Sequence, residues 1–226
     1  LKLPSTDEEI RYRPFLVKEE KILLVAQETG GDAATYDAIR SIILSCCLTP
    51  VDIDKLPLFD VEYLFLNIRA KSVGEIAKLK LKCPDDEETL VDVEIDLTTI
   101  VVQMDDDHTN KIELTDTIGV ILSYPVLSTV ASQSIETPKG KETAALFEMI
   151  VGCIDQIWEG EEVHDQSDYS KKEKETFLDS LDHTQFAKVQ HFFETMPTLK
   201  KEIEVTNPKT GVTSKVVLSG MQSFFS

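Results

Sequence analysis

Ile76 to Leu97 reads IAKLKLKCPDDEETLVDVEIDL, and this stretch decides the fold class. Leu79 and Leu81 alternate with Lys78, Lys80 and Lys82, which is the period of a strand with one face toward a core. Pro84-Asp85-Asp86-Glu87-Glu88 then supplies a polar turn, and the alternation resumes at Val91, Val93, Ile95 and Leu97. Successive side chains of a strand point to opposite faces, so the segment predicts an antiparallel hairpin with one apolar and one wet face.

On its amino-terminal side the period is helical. Ile10 and Tyr12 predict a short strand that Pro14 stops, and Val17, Ile22, Leu23, Leu24 and Val25 predict a helix ended by Gly30-Gly31. Asp32 is a candidate cap for a second helix carrying Ala34, Ala38, Ile39, Ile42, Ile43 and Cys46, antiparallel to the first, up to the Thr49-Pro50 break. A third opens at Pro57 and Asp60, places Val61, Leu64, Phe65 and Ile68 on one face, and closes at Gly74.

On the carboxyl side, strands are predicted near Ile100 to Met104, Lys111 to Leu114 and Val120 to Tyr124. Helix resumes from about Pro125, with Ala144, Phe147, Ile150, Val151 and Ile154 on its apolar side, and Glu159 to Ser170 reads as a loop. Two shorter helices are predicted at Lys172 to Leu181 and Thr184 to Met196, the latter turning Phe186, Val189, Phe192 and Phe193 inward. Lys201 to Val205 and Thr213 to Leu218 flank Asn207-Pro208-Lys209-Thr210-Gly211, a second hairpin. The expected fold is α+β: helical segments with two β-hairpins and a small antiparallel sheet. Its parts are an N-terminal strand and helices (1–74), a β-rich region (75–124), and a helical region with a C-terminal hairpin and apolar tail (125–226), in one body or two small subdomains.

Charge narrows the function. Among 226 residues, 41 acidic against 23 basic side chains give a net charge of −18. A phosphate backbone is held by Lys and Arg, so nucleic-acid binding is disfavoured, and anionic membrane surfaces by the same sign. No stretch approaches the ~20 apolar residues of a spanning helix, and Leu1-Lys2-Leu3-Pro4 has no signal-peptide layout. Cys46, Cys47, Cys83 and Cys153 form no disulfide framework, which points to a reducing cytoplasm.

Catalytic patterns are sparse. Asp105-Asp106-Asp107-His108 offers oxygen ligands but lacks the glycine and distant glutamate of a calcium loop, and acidic turns are ordinarily solvated. Asp85-Asp86-Glu87-Glu88 reads the same way. Cys46, Cys47 and Cys153 lie in apolar helical patterns, where a buried thiol packs rather than reacts. His183 and His191, eight positions apart, would project about 80° apart on a helix, a loose arrangement for a metal. Phosphate-loop, dinucleotide, zinc-protease and nucleophile-elbow motifs are absent from the sequence. No catalytic residue, metal or cofactor is therefore expected. The candidate partner-binding residues are Arg11 and Arg13, in a positive amino-terminal patch with Lys18 and Lys21, together with Phe192, Phe193, Met196, Met221, Phe224 and Phe225. The apolar tail ending in Phe224-Phe225 would dock onto its own domain or onto another subunit.

Several blocks carry a family resemblance. Tyr12-Arg13-Pro14-Phe15-Leu16-Val17-Lys18-Glu19-Glu20-Lys21, Asp54-Lys55-Leu56-Pro57 and Phe59-Asp60-Val61-Glu62-Tyr63-Leu64-Phe65-Leu66 come first. Ile68-Arg69-Ala70-Lys71-Ser72-Val73-Gly74-Glu75, Phe192-Phe193-Glu194-Thr195-Met196-Pro197 and Leu218-Ser219-Gly220-Met221-Gln222-Ser223-Phe224-Phe225 follow in order. Together they resemble the baseplate hub proteins of T-even-type tailed phages. The resemblance implies a small, non-enzymatic protein of the hub, or one needed to assemble it, whose partners are other baseplate and tail proteins. It would be found in host cytoplasm during assembly and in the virion tail baseplate; an assembly chaperone absent from the mature virion is the alternative, and a metal-dependent enzyme around Asp105 to His108 the third reading. Some relatives resemble a zinc ribbon, with paired cysteines at both hairpin turns. Here Cys83 stands alone and Asn207 to Gly211 has no cysteine, so a metal-free pair of hairpins is expected.

Overall fold

The alternating segment forms the predicted hairpin: β1 (Ile76–Lys82) pairs antiparallel with β2 (Leu90–Asp96), Leu79 opposite Val93 and Leu81 opposite Val91. Ala77, Leu79 and Ile95 are buried while the lysines of β1 are exposed, so one face is dry and the other wet. A computed structural model of the chain describes residues 1–29, 32–130 and 142–224 and gives the expected α+β mixture of helices and small antiparallel sheets. Helices with both ends described are α1 (Val17–Thr29), α2 (Asp32–Cys46), α3 (Leu58–Val73), α4 (Glu142–Cys153), α5 (Lys171–Asp179) and α6 (His183–Thr195), and residues 127–130 are also helical. The Gly30-Gly31 turn expected between the first two lies outside the described residues, as does 131–141, part of the helix expected from Pro125.

Two compact units divide the chain. One comprises Leu1–Gly30, Ala34–Gln103 and Pro197–Ser226; the other comprises Gly31–Ala33 and Met104–Met196. These units follow strand pairing, which joins strands on either side of 104–196. β3 (Val101–Gln103) pairs with β8 (Thr198–Thr206), Gln103 opposite Thr198, so the chain leaves the first unit and re-enters it on neighbouring strands. β8 also pairs with β9 (Thr213–Ser219), giving the sheet order β3-β8-β9. Leu66 and Ala70 of α3 pack with Leu79, Ile95, Leu199, Leu218 and Phe224 in one core.

In the first unit the turns of the two hairpins meet. Asn207 is fully buried; its amide donates to both carboxylate oxygens of Asp85, at 3.0 and 3.1 Å, and its side-chain oxygen accepts from the Lys209 N–H at 2.8 Å. Thr210 adds a hydroxyl bond to Asp85 at 2.6 Å. Donation by Thr210 and Asn207 holds the Asp85 carboxyl below its ordinary pKa. Hydrogen bonds therefore join the positions at which the resemblance had suggested looking for cysteines.

The second unit has a four-stranded sheet, β4-β5-β6-β7, comprising Lys111–Glu113, Ile118–Leu122, Ile154–Glu159 and Glu162–Asp165. The last two strands correct the sequence reading, which placed Ile154 on a helix and 159–170 in a loop. A register shift at Ile121/Leu122 spoils the alternation of β6, and β7 is a polar edge strand held by backbone pairing, so neither shows a clean period of two. Gly119 lies opposite Trp158, and a Cβ there would sit 1.9 Å from the indole ring, so only glycine leaves room. Ile150, Val151, Leu178, Val189 and Phe192 bring the helices onto this sheet. α5 and α6 begin with the capping boxes of Ser170 with Glu173 and Asp182 with Gln185.

Replacing Asn207 by Ala removes two donors from Asp85 and the acceptor for the Lys209 N–H. A loss of about 1–3 kcal/mol is expected, read as a lower urea midpoint with unchanged slope.

Candidate interaction surface

The inward stripe of α1 is Glu19, Leu23 and Ala26, at the four- and three-residue spacing of one helix face. Glu19 is 1 % exposed, and Arg13 makes that burial tolerable. The Arg13 guanidinium donates to Glu19 at 3.0 Å, to the Ser45 carbonyl at 2.9 Å and to the Pro14 carbonyl at 2.8 Å. The Leu16 N–H donates to the second Glu19 oxygen at 2.7 Å. Burial opposes ionisation of Glu19, but Arg13, the Leu16 N–H and Lys18 outweigh it and hold the carboxyl at about 2. Arg13 therefore ties the start of α1 to the end of α2 while its side chain stays 31 % exposed.

Although Leu23 and Ala26 join Glu19 on the inward stripe, Val17, Ile22, Leu24 and Val25 of α1 face outward. Val17 is 80 % exposed, Leu16, Leu24 and Val25 are about half exposed, and Val17 and Leu24 stand seven residues apart on one face. Lys18 and Lys21 are exposed on the same helix, as is Arg11 upstream of it. Soluble proteins seldom leave such a run of aliphatic side chains in water, and this face, edged with positive charge, is the candidate contact surface of the first unit. Periodicity predicted the helix without saying which of its apolar residues face out; the charged Glu19 within it, six residues after Arg13, was a signal of the face that turns in.

The other candidates fall mostly inside. Met221 and Phe224 are buried in the first unit and Phe192 in the second, so all three side chains belong to a core. Phe193 and Met196 are half-buried, with Phe193 edge-on to Phe192 at 5.0 Å between ring centroids. Phe225 lies outside the described residues. Gly220 takes φ +71° and turns the tail, whose Met221 N–H then donates to Glu62 of α3 at 3.3 Å. Burial raises the Glu62 carboxyl to about 7, against a smaller opposing effect of that N–H.

The acidic run at 105–108 is held by α6. His108 meets the Thr195 hydroxyl through Nδ1 at 3.0 Å and the Tyr124 hydroxyl through Nε2 at 2.9 Å. Thr195 gives its own proton to the His191 carbonyl at 2.7 Å, so Nδ1 carries the proton and Nε2 accepts from Tyr124. Burial lowers the His108 pKa, favouring the neutral ring this arrangement requires. Asp107 accepts from His191 at 2.9 Å. Among the described residues, no three His, Cys, Asp or Glu side chains are grouped to hold a metal ion. All four cysteines are free thiols; burial pushes Cys153 up to about 12, and burial with the neighbouring Cys46 pushes Cys47 up to about 11. Both stay protonated near neutrality and are poor nucleophiles.

A family model described as T4 bacteriophage base plate protein matches residues 1–226. No curated protein and no solved structure matches the chain.

The buried Glu62 generates a pH test. Its folded pKa of about 7 exceeds the ordinary 4.5, so folding retains a proton that the unfolded chain releases between these values. The contribution is full below pH 4.5 and is lost as pH rises through 7, by roughly 3 kcal/mol. Glu62→Gln is expected to raise the urea midpoint at pH 8 relative to wild type and to narrow that advantage toward pH 5.

Proposed function

Because the chain belongs along residues 1–226 to the family of T4 bacteriophage base plate proteins, we propose that it is a non-catalytic component of the baseplate hub, or is needed for hub assembly. It acts through contacts with other baseplate and tail proteins. The observation that carries this reading is the family match over the whole chain, both compact units included.

The chemistry of the surface supports it. The α1 face offers Leu16, Val17, Leu24 and Val25 beside basic side chains, an adhesive surface of the composition found at protein interfaces. Polar groups that chemistry could recruit are engaged within the fold: His108 with Thr195 and Tyr124, and Asp107 with His191. A net charge of −18 favours protein partners over nucleic acid or anionic membrane. No described helix is long and apolar enough to cross a membrane.

Quantitative mass spectrometry of purified virions and of baseplate intermediates from infected cells tests the reading. A hub subunit is expected in both, in fixed proportion to other baseplate proteins. Presence in intermediates alone assigns the chain to assembly, and absence from both overturns the proposal.

A further inference from the structure

Within the second unit, the sheet and helices α5 and α6 enclose a cavity of about 320 Å3, at the lower end of the size range of small-ligand sites. Leu114, Ile118 and Ile157 line it from the sheet side, and Phe177 and Leu181 from the helical side. Glu159, at the end of β6, and Glu173, in the first turn of α5, also line it; both are exposed and so stand at its mouth.

The mouth is electrically one-sided. Tyr169 shares this wall, and burial with the charges of Asp168, Glu159 and Glu173 raises its hydroxyl pKa. His164 lies edge-on to Tyr169, ring centroids 5.6 Å apart, and extends the aromatic wall. None of the described residues lining the cavity is lysine or arginine, and Glu159 enters no ion pair among the described residues. Glu173 caps α5 with one oxygen, Oε2, which accepts from the Ser170 N–H and hydroxyl at 2.7 Å each. Its other oxygen stays outside the cap.

We propose that this cavity receives an arginine side chain from a neighbouring baseplate protein, its methylene stem on the apolar floor and its guanidinium at Tyr169 between Glu159 and Glu173. The inference rests on the reading of the chain as a baseplate component working through protein contacts. An aliphatic occupant would cover the carboxylates without pairing them, which costs free energy. Lysine would bring a compact, strongly hydrated charge with no plane to lay on the tyrosine ring. Arginine supplies an aliphatic stem, a flat cation and a fork of donors matched to carboxylates. The acidic surplus of the whole chain draws a basic partner surface in the same direction.

The probe is acetyl-arginine methylamide, titrated into the 15N-labelled full-length chain at low salt and followed by amide chemical shifts. Acetyl-lysine and acetyl-norleucine methylamides serve as comparisons. Saturable shifts confined to the cavity residues are expected for arginine, with weaker binding of lysine and none of norleucine. Glu159→Gln, at an exposed position, is expected to weaken arginine binding about threefold while leaving the thermal midpoint unchanged. Absence of saturation, equal binding of lysine or norleucine, or indifference to Glu159→Gln overturns the proposal. Virion composition is a separate readout: a chain present in baseplates whose cavity ignores arginine overturns only the cavity assignment. A chain absent from them that still binds arginine overturns only the functional reading.

Discussion

The first unit depends on its own last residues. Leu199, Leu218 and Phe224 come from the final thirty positions, yet they share one core with Leu66 and Ala70 of α3 and with Ala77, Leu79 and Ile95 of the first hairpin. An apolar face on a two-stranded hairpin cannot support itself in water. That face is covered by Leu66 and Ala70 of α3 and by residues that follow the chain's return to the first unit at Pro197. The adjacent strands β3 and β8 hold the chain's departure and return side by side. The Asp85, Asn207 and Thr210 bonds then pin the two turns to each other.

This closure directs polar chemistry inward and adhesion outward. Glu19, Asp60, Glu62 and Lys174 are buried charged residues with assigned partners: Arg13, Ser5, the Met221 N–H and the Ile154 carbonyl. What remains at the surface is an acidic body with an exposed aliphatic helix face in one unit and an acid-rimmed cavity in the other. Such features serve a protein whose work is to be held by neighbours, as membership of a baseplate family implies. Aliphatic area supplies most of the attraction at an interface, and charge selects and orients the partner.

Much of the fold was legible because local and long-range demands agree. β1 and β2 alternate without interruption, α3 runs from Pro57 to a glycine at φ +133°, and the Asn207 turn carries its own signal. Legibility failed where a tertiary partner overrode the local pattern. β6 carries a register shift and β7 has only Val163 among polar side chains, so their pairing is invisible without the strands they join. On α1 a buried position belongs to Glu19 because Arg13 reaches it from outside the helix, and Val17, Leu24 and Val25 stand at the surface. The burial of Phe192, Met221 and Phe224 was not legible for a related reason: an aromatic or sulfur-bearing side chain is equally suited to a core and to an interface, and only the three-dimensional structure shows where it lies.

Equilibrium urea unfolding of Phe224→Ala tests most directly whether the carboxyl-terminal segment is structural. Phe224 is fully buried, so the variant should lose about 3–5 kcal/mol in the isolated protein, before any partner is present. Wild-type stability in that variant, with only incorporation into baseplates impaired, would contradict the account and make the tail a docking element after all.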